Sequence, residues 1–241
     1  MREIGFMRKT IKSSIDSKRA FTLVELIVVL VVLAILAAMV VPALTGYFRK
    51  AKKAQYIQKA DEARVAAQAV MQELYGLDDG NAAHNSTTDG NNVFWNSGTD
   101  KKWGDKVLQL LGCGRGAANG EPYIFIIGVG THNSAGGMSL TQRYTVYYVA
   151  YVENENSPAL FYVNGEWMYE YPRYDGSPAI DTRSFGTTSF RNTIVLNGAK
   201  IPLQFYIISN RTGLNASSAT FWTGSDSRSL YSHSDGYYGK S

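Results

Sequence analysis

Between Phe21 and Phe48 the chain carries one charged residue, Glu25. To Leu44 the run reads Phe-Thr-Leu-Val-Glu-Leu-Ile-Val-Val-Leu-Val-Val-Leu-Ala-Ile-Leu-Ala-Ala-Met-Val-Val-Pro-Ala-Leu. A helix of these two dozen residues would be about 36 Å long at ~1.5 Å per residue, enough to cross a hydrocarbon core of ~30 Å. The apolar core of a secretory signal peptide is shorter, ~7–15 residues, and ends in a small-x-small cleavage site. Residues 21–44 are therefore expected to span a membrane once, with a short segment before the span and one domain after it.

Charge supports that division. The formal net charge is +4, from 24 basic and 20 acidic residues. Residues 1–20 hold six basic residues (Arg2, Arg8, Lys9, Lys12, Lys18, Arg19) against Glu3 and Asp16, so they account for the whole excess. The remaining eighteen basic and eighteen acidic residues cancel, which argues against a polyanion-binding surface, and no nucleic acid is expected as a direct partner. A basic leader before an apolar span keeps the N-terminus in the cytoplasm, although Arg49, Lys50, Lys52 and Lys53 crowd the other flank.

Glu25 is the anomaly in the span. A carboxylate in hydrocarbon costs several kcal/mol, so it either snorkels to the headgroups or marks a functional site. If the chain is cut between Ala20 and Phe21, the new α-amine of Phe21 lies four residues before Glu25, near the positive end of the helix dipole. Within one chain that pairing is awkward, because the amine itself begins the helix. Between identical helices packed with an axial stagger, Glu25 of one can meet the Phe21 amine of the next, and an unpaired carboxylate would penalise a wrong register.

The stretch Lys18-Arg19-Ala20-Phe21-Thr22-Leu23-Val24-Glu25-Leu26, followed by the apolar span, resembles the class III signal of type IV pilins and pseudopilins. Phe at the first mature position, Glu at the fifth and Pro42 at the twenty-second carry the resemblance. The family usually has Gly immediately before the cut, where this chain has the similarly small Ala20. Its twenty-residue leader exceeds the shortest in the family. The resemblance implies cleavage before Phe21 and N-methylation by a membrane-embedded prepilin peptidase, and an assembly role for Glu25. It also implies three further partners: other copies of the chain, an inner platform protein and an ATP-driven assembly motor. Such a subunit begins in the cytoplasmic membrane and ends in an extracellular pilus. A secretion or competence pseudopilin would share every N-terminal feature, and a membrane-anchored adhesin or glycan-binding protein that never polymerises is the further alternative.

Beyond the span, Tyr56, Ala60, Ala63, Ala67, Val70 and Leu74 form an i, i+3/i+4 stripe, so residues 45–76 are expected to continue the helix as an amphipathic segment. Pro42 and Gly46 mark an expected kink between the halves. Residues 77–241 are expected to form an extracytoplasmic head. Residues 77–102 read as a long loop anchored by Val93-Phe94-Trp95, and Trp103–Leu111 as a short helix ending at Gly112. Residues 123–127 and 144–152 read as strands, and Asn164-Gly165 and Asn197-Gly198 as hairpin turns joining 160–163 to 166–169 and 193–196 to 201–208. The expected fold is α+β, a long N-terminal helix packed on an antiparallel sheet, with a polar, loosely ordered C-terminal tail and one strand at Thr220–Thr223.

No catalytic motif is visible. His84, His132 and His233 are scattered, and the lone Cys113 reads as a small buried hydrophobe. Asp89-Gly90-Asn91-Asn92 reads as a turn rather than a calcium loop, and Gly128-Val129-Gly130 as a turn rather than a dinucleotide site. No enzyme activity, cofactor or metal is expected. Sixteen tyrosines and four tryptophans leave one further candidate: Trp95, Trp167 and Trp222 as surface aromatics for a glycan or partner, against the reading that they pack inside.

Overall fold

The computed structural model describes residues 21–77, 92–132, 137–163, 165–169, 193–196, 199–223 and 226–233. The leader, with Ala20, and the segment holding His84 and Asp89 lie outside them. The chain divides into two compact units, 1–52 and 53–241.

Helix α1 (Leu23–Gly76) includes both Pro42 and Gly46 and ends at neither. In the first unit every described side chain from Phe21 to Lys50 is exposed. In the second unit the alanine-rich stripe does what its spacing predicts: Ala60, Ala63, Ala67, Val70 and Leu74 are all buried, and Tyr56 packs at their edge. These side chains join one buried cluster with residues of the sheet. The Tyr56 hydroxyl ties the stripe to the segment 153–158, donating to the Pro158 carbonyl at 2.7 Å and accepting the Glu153 N–H at 3.2 Å.

The sheet has strands β1 (Asn92–Phe94), β2 (Ile124–Gly130), β3 (Val146–Val152), β4 (Leu160–Val163), β5 (Glu166–Met168), β6 (Thr193–Leu196) and β7 (Ala199–Asn210). Its spatial order is β1-β7-β2-β3-β4-β5, with β6 beside the first part of β7. The strands of both expected hairpins pair, with Val163 opposite Glu166 and Leu196 opposite Ala199, while Asn164 and Asn197-Gly198 lie outside the described residues. Gly165 takes φ 90°, the left-handed backbone that a tight hairpin demands. The expected antiparallel pairing holds from β7 through β2, β3 and β4 to β5, and one reading is corrected: β1, expected as an anchor within a loop, adds a strand parallel to β7, with Asn92 opposite Phe205. Parallel neighbours need long connections, and more than a hundred residues separate these two strands.

Strand alternation builds two cores. Phe125, Ile127 and Val129 of β2 face α1 together with Val149, Tyr151, Tyr206 and Ile208. Ile124 and Ile126 face the opposite way with Tyr148, Ala150, Phe205 and Ile207. The second face is covered by residues expected to be a loose tail. Phe221, Trp222 and Leu230 are fully buried there, and the Ala159 N–H donates to the His233 carbonyl at 2.7 Å. The expected strand at Thr220–Thr223 is instead helix α4 (Ala219–Thr223). Adjacent strand residues would point to opposite sides, whereas a helical turn carries both Phe221 and Trp222 into one cluster.

The Gly128-Val129-Gly130 turn is also corrected, because β2 continues through it. A Cβ on Gly128 would lie 3.0 Å from Tyr148 Cβ and 3.2 Å from Phe205 Cε1, and one on Gly130 would lie 2.5 Å from the Gln142 carbonyl oxygen. The glycines thus admit the edge-on Tyr148–Phe205 ring pair across the strand and the short helix α3 (Leu140–Arg143) at its end. Helix α2 (Lys101–Leu110) forms near its expected place, with Gly112 in the left-handed region at φ 70°.

Arg115 fastens the connection between α2 and β2. Its guanidinium donates to Asp105 Oδ1 at 2.6 Å, Glu121 Oε1 at 2.8 Å, the Trp95 carbonyl at 2.9 Å and the Ile208 carbonyl. Glu121 also accepts the Gly116 N–H at 2.6 Å and the Ser209 hydroxyl at 3.0 Å.

Candidate processing and assembly site

The helix begins with a reciprocal cap. Thr22 precedes the first helical residue, and Glu25 is the third residue of the helix. The Thr22 N–H and the Thr22 hydroxyl both donate to Glu25 Oε2, at 2.9 and 2.8 Å, while the Glu25 N–H donates to Thr22 Oγ1 at 3.2 Å. This is the Thr-x-x-Glu capping box, in which side chains satisfy backbone donors that the first turn leaves without helical acceptors. A carboxylate in the first turn also complements the positive end of the helix dipole. Thr22 was not singled out from sequence, although the signal is present in the spacing of Thr22 and Glu25 ahead of an apolar run.

Phe21 lies just outside the helix and is 85% exposed. Around it stand Leu23, Val24, Leu26 and Ile27, all exposed, and the exposed apolar surface continues to Leu44, Tyr47 and Phe48. α1 is long and apolar enough, by length and composition, to cross a membrane, and its apolar window has none of its residues buried. Monomeric soluble proteins rarely expose a contiguous apolar patch beyond a few hundred Å². This surface is therefore made to be covered, by lipid or by other helices.

The three tryptophans do not form one surface. Trp95 and Trp222 are fully buried, which corrects the expectation of exposed rings. Trp95 stands edge-on to Tyr206 at 4.7 Å in the helix-facing core, and Trp222 packs on Phe205 at 5.3 Å in the other and donates its indole N–H to the Ala216 carbonyl at 2.6 Å. Large aromatic rings bury too much apolar area to stay outside where two sheet faces need covering. Trp167 alone of the three is half-buried, its indole N–H donating to Asp61 Oδ1 at 3.1 Å and its ring beside Tyr162. Arg64 holds the Asp61 carboxyl below the usual carboxylate range. Cys113 is half-buried with a weak contact from Sγ to the Leu111 carbonyl. Among the described residues no group of three or more His, Cys, Asp or Glu side chains is placed to hold a metal ion.

Residues 15–41 match the family model of the prokaryotic N-terminal methylation motif. Comparisons with curated proteins and with solved structures return no match. The matched stretch contains Ala20, Phe21, Thr22 and Glu25 and most of the apolar span. The chain thus carries, at the head of an α+β fold with a long N-terminal helix, the class III signal motif of type IV pilins and pseudopilins.

Proposed function

We propose that this protein is the structural subunit of a type IV pilus or pilus-like filament. In this reading residues 1–20 are removed before Phe21 by a prepilin peptidase, which methylates the new amine. Residues 21–44 hold the precursor in the cytoplasmic membrane with its N-terminus inside. A platform protein and an ATP-driven motor then draw subunits out of the bilayer, and the apolar helices bundle with the sheet domains outside. Glu25 pairs with the Phe21 amine of a neighbouring copy and sets the stagger. Pro42 and Gly46 supply a soft point between the apolar and amphipathic halves.

The observation that carries the reading is the methylation motif set directly on a helix whose apolar window is exposed along its described residues. The same surface serves in the membrane and then in the filament, because lipid tails and packed leucine, valine and isoleucine side chains are equally apolar partners. The reading of the chain as a non-polymerising glycan binder loses support, since two of its three proposed rings are inside the domain.

Electron microscopy of material sheared from cells tests the proposal. Filaments that contain this chain and vanish when its gene is deleted support it. Long surface filaments would assign a pilus, and short ones confined to the envelope a pseudopilus. A chain that stays monomeric in the membrane, with no filament of either length, refutes it.

A further inference from the structure

The residues from Leu26 to Leu44 cover about 28 Å at ~1.5 Å per residue, close to the ~30 Å of a hydrocarbon core. With Glu25 at one boundary, the helix leaves the core just after Leu44. Tyr47 and Phe48 follow within about 6 Å, inside a headgroup layer ~5–8 Å thick, and Arg49, Lys50 and Lys52 stand at the outer edge of that layer. Both rings are exposed, Tyr47 at 69% and Phe48 at 57%, and they meet edge-on at 6.4 Å. The three cations are exposed as well and make no ion pair among the described residues. No acidic residue stands between Glu25 and Asp61, so none lies one helical turn from them to neutralise their charge.

Orientation alone does not account for these charges. With the N-terminus inside, residues 1–20 supply the positive-inside signal, whereas Arg49, Lys50 and Lys52 lie on the far side, where that rule disfavours them. Their placement around the helix points to what they meet. At ~100° per residue the three cations cover about 160° of the circumference, and Tyr47 and Phe48 fall in the remainder. A protein partner would touch one side of the helix, but headgroups surround a single span on every side. Aromatic rings favour that boundary, and long basic side chains reach along it to phosphate. We infer that Tyr47, Phe48, Arg49, Lys50 and Lys52 form a collar that binds anionic phospholipid headgroups of the outer leaflet and fixes the depth of the span. The inference rests on the membrane-spanning part of the proposed function and adds to it the class of lipid that the subunit selects before assembly. Each cation near an anionic surface strengthens the hold about five-fold, and salt screens the effect.

The test uses the full chain purified from cell membranes and reconstituted into vesicles of equal parts phosphatidylglycerol and phosphatidylcholine. Flotation shows whether the protein is in the bilayer, and native mass spectrometry after gentle re-extraction counts the lipids it keeps. Wild type is compared with the triple variant Arg49→Gln, Lys50→Gln, Lys52→Gln and with Arg49→Lys, which keeps the charge. Circular dichroism should show the same fold in all three, because the replaced side chains are exposed. Wild type should keep phosphatidylglycerol over phosphatidylcholine by at least about five-fold, Arg49→Lys should match it, and the triple variant should keep the two nearly equally. High salt should erase the difference, and inorganic phosphate should act no more strongly than sodium chloride of the same ionic strength. An undiminished preference in the triple variant overturns the inference. So does a preference that inorganic phosphate abolishes and sodium chloride does not, which would make this a site for free phosphate. Cross-linking of Lys50 or Lys52 to a second copy, equally strong in pure phosphatidylcholine, also overturns it, because a protein would then occupy the collar. If wild type floats with the vesicles and shows no lipid preference, the spanning reading stands and the inference falls. If wild type does not float, both fall.

Discussion

Replacing Arg115 by Met should destabilise the sheet domain by about 3 kcal/mol. The Arg115 side chain is 21% exposed and the Glu121 side chain 9%. Removing one partner of a fully buried ion pair costs ~3–5 kcal/mol because the other charge stays behind. Partial exposure of Arg115, and the Gly116 and Ser209 donors that remain on Glu121, reduce that to about 2 kcal/mol. The Trp95 and Ile208 carbonyls also lose a donor, which adds roughly 1 kcal/mol. Asp105, 41% exposed, contributes little. For a unit of this length each kcal/mol moves Tm by ~2–4 °C, so the midpoint should fall by about 6–12 °C. Thermal unfolding of the full chain in detergent, followed by circular dichroism, reads this directly. The pH dependence gives an independent check. Burial raises the Glu121 pKa, but the Gly116 N–H, Arg115 and Ser209 outweigh it and hold the carboxyl below its ordinary value. The stabilisation is therefore fully present above the unfolded value of ~4.3 and is lost as pH falls through the lower, folded one. Wild type should lose stability on acidification through that window, and Arg115→Met should lose less. A midpoint within about 2 °C of wild type at neutral pH would refute the reasoning, because the guanidinium would then hold nothing together.

Gly130→Ala should cost about 2 kcal/mol, since its Cβ would meet the Gln142 carbonyl oxygen at 2.5 Å and backbone there has little room to give; an unchanged Tm would contradict the close approach. Tyr56→Phe removes one donor to Pro158 and one acceptor for Glu153, and should cost about 1–2 kcal/mol with no change in fold by circular dichroism.

Much of this architecture is legible because its signals are local. The alanine stripe from Ala60 to Leu74 announces a helix face wherever its partner lies, and the Asn-Gly pairs announce hairpins within a few residues. What stayed hidden depends on distant neighbours. Gly128 reads as a turn until Tyr148 and Phe205, twenty and more than seventy residues away in sequence, are seen to meet across it. The same holds for Phe221 and Trp222: nothing nearby says that both belong under the sheet, so a short aromatic run reads as a strand. β1 reads as an anchor, and its parallel pairing with β7 depends on where the chain arrives. At the N-terminus the reverse occurred. The Thr-x-x-Glu spacing is a local signal, and the charge of Glu25 points to a partner in another chain while its nearest one stands three residues away.

The most direct test of the central claim is the intact mass of the protein recovered from the cell surface. The account predicts a chain that begins at Phe21 and carries one added methyl group on its α-amine. Surface protein that retains residues 1–20, or that begins at any residue after Phe21, would contradict it.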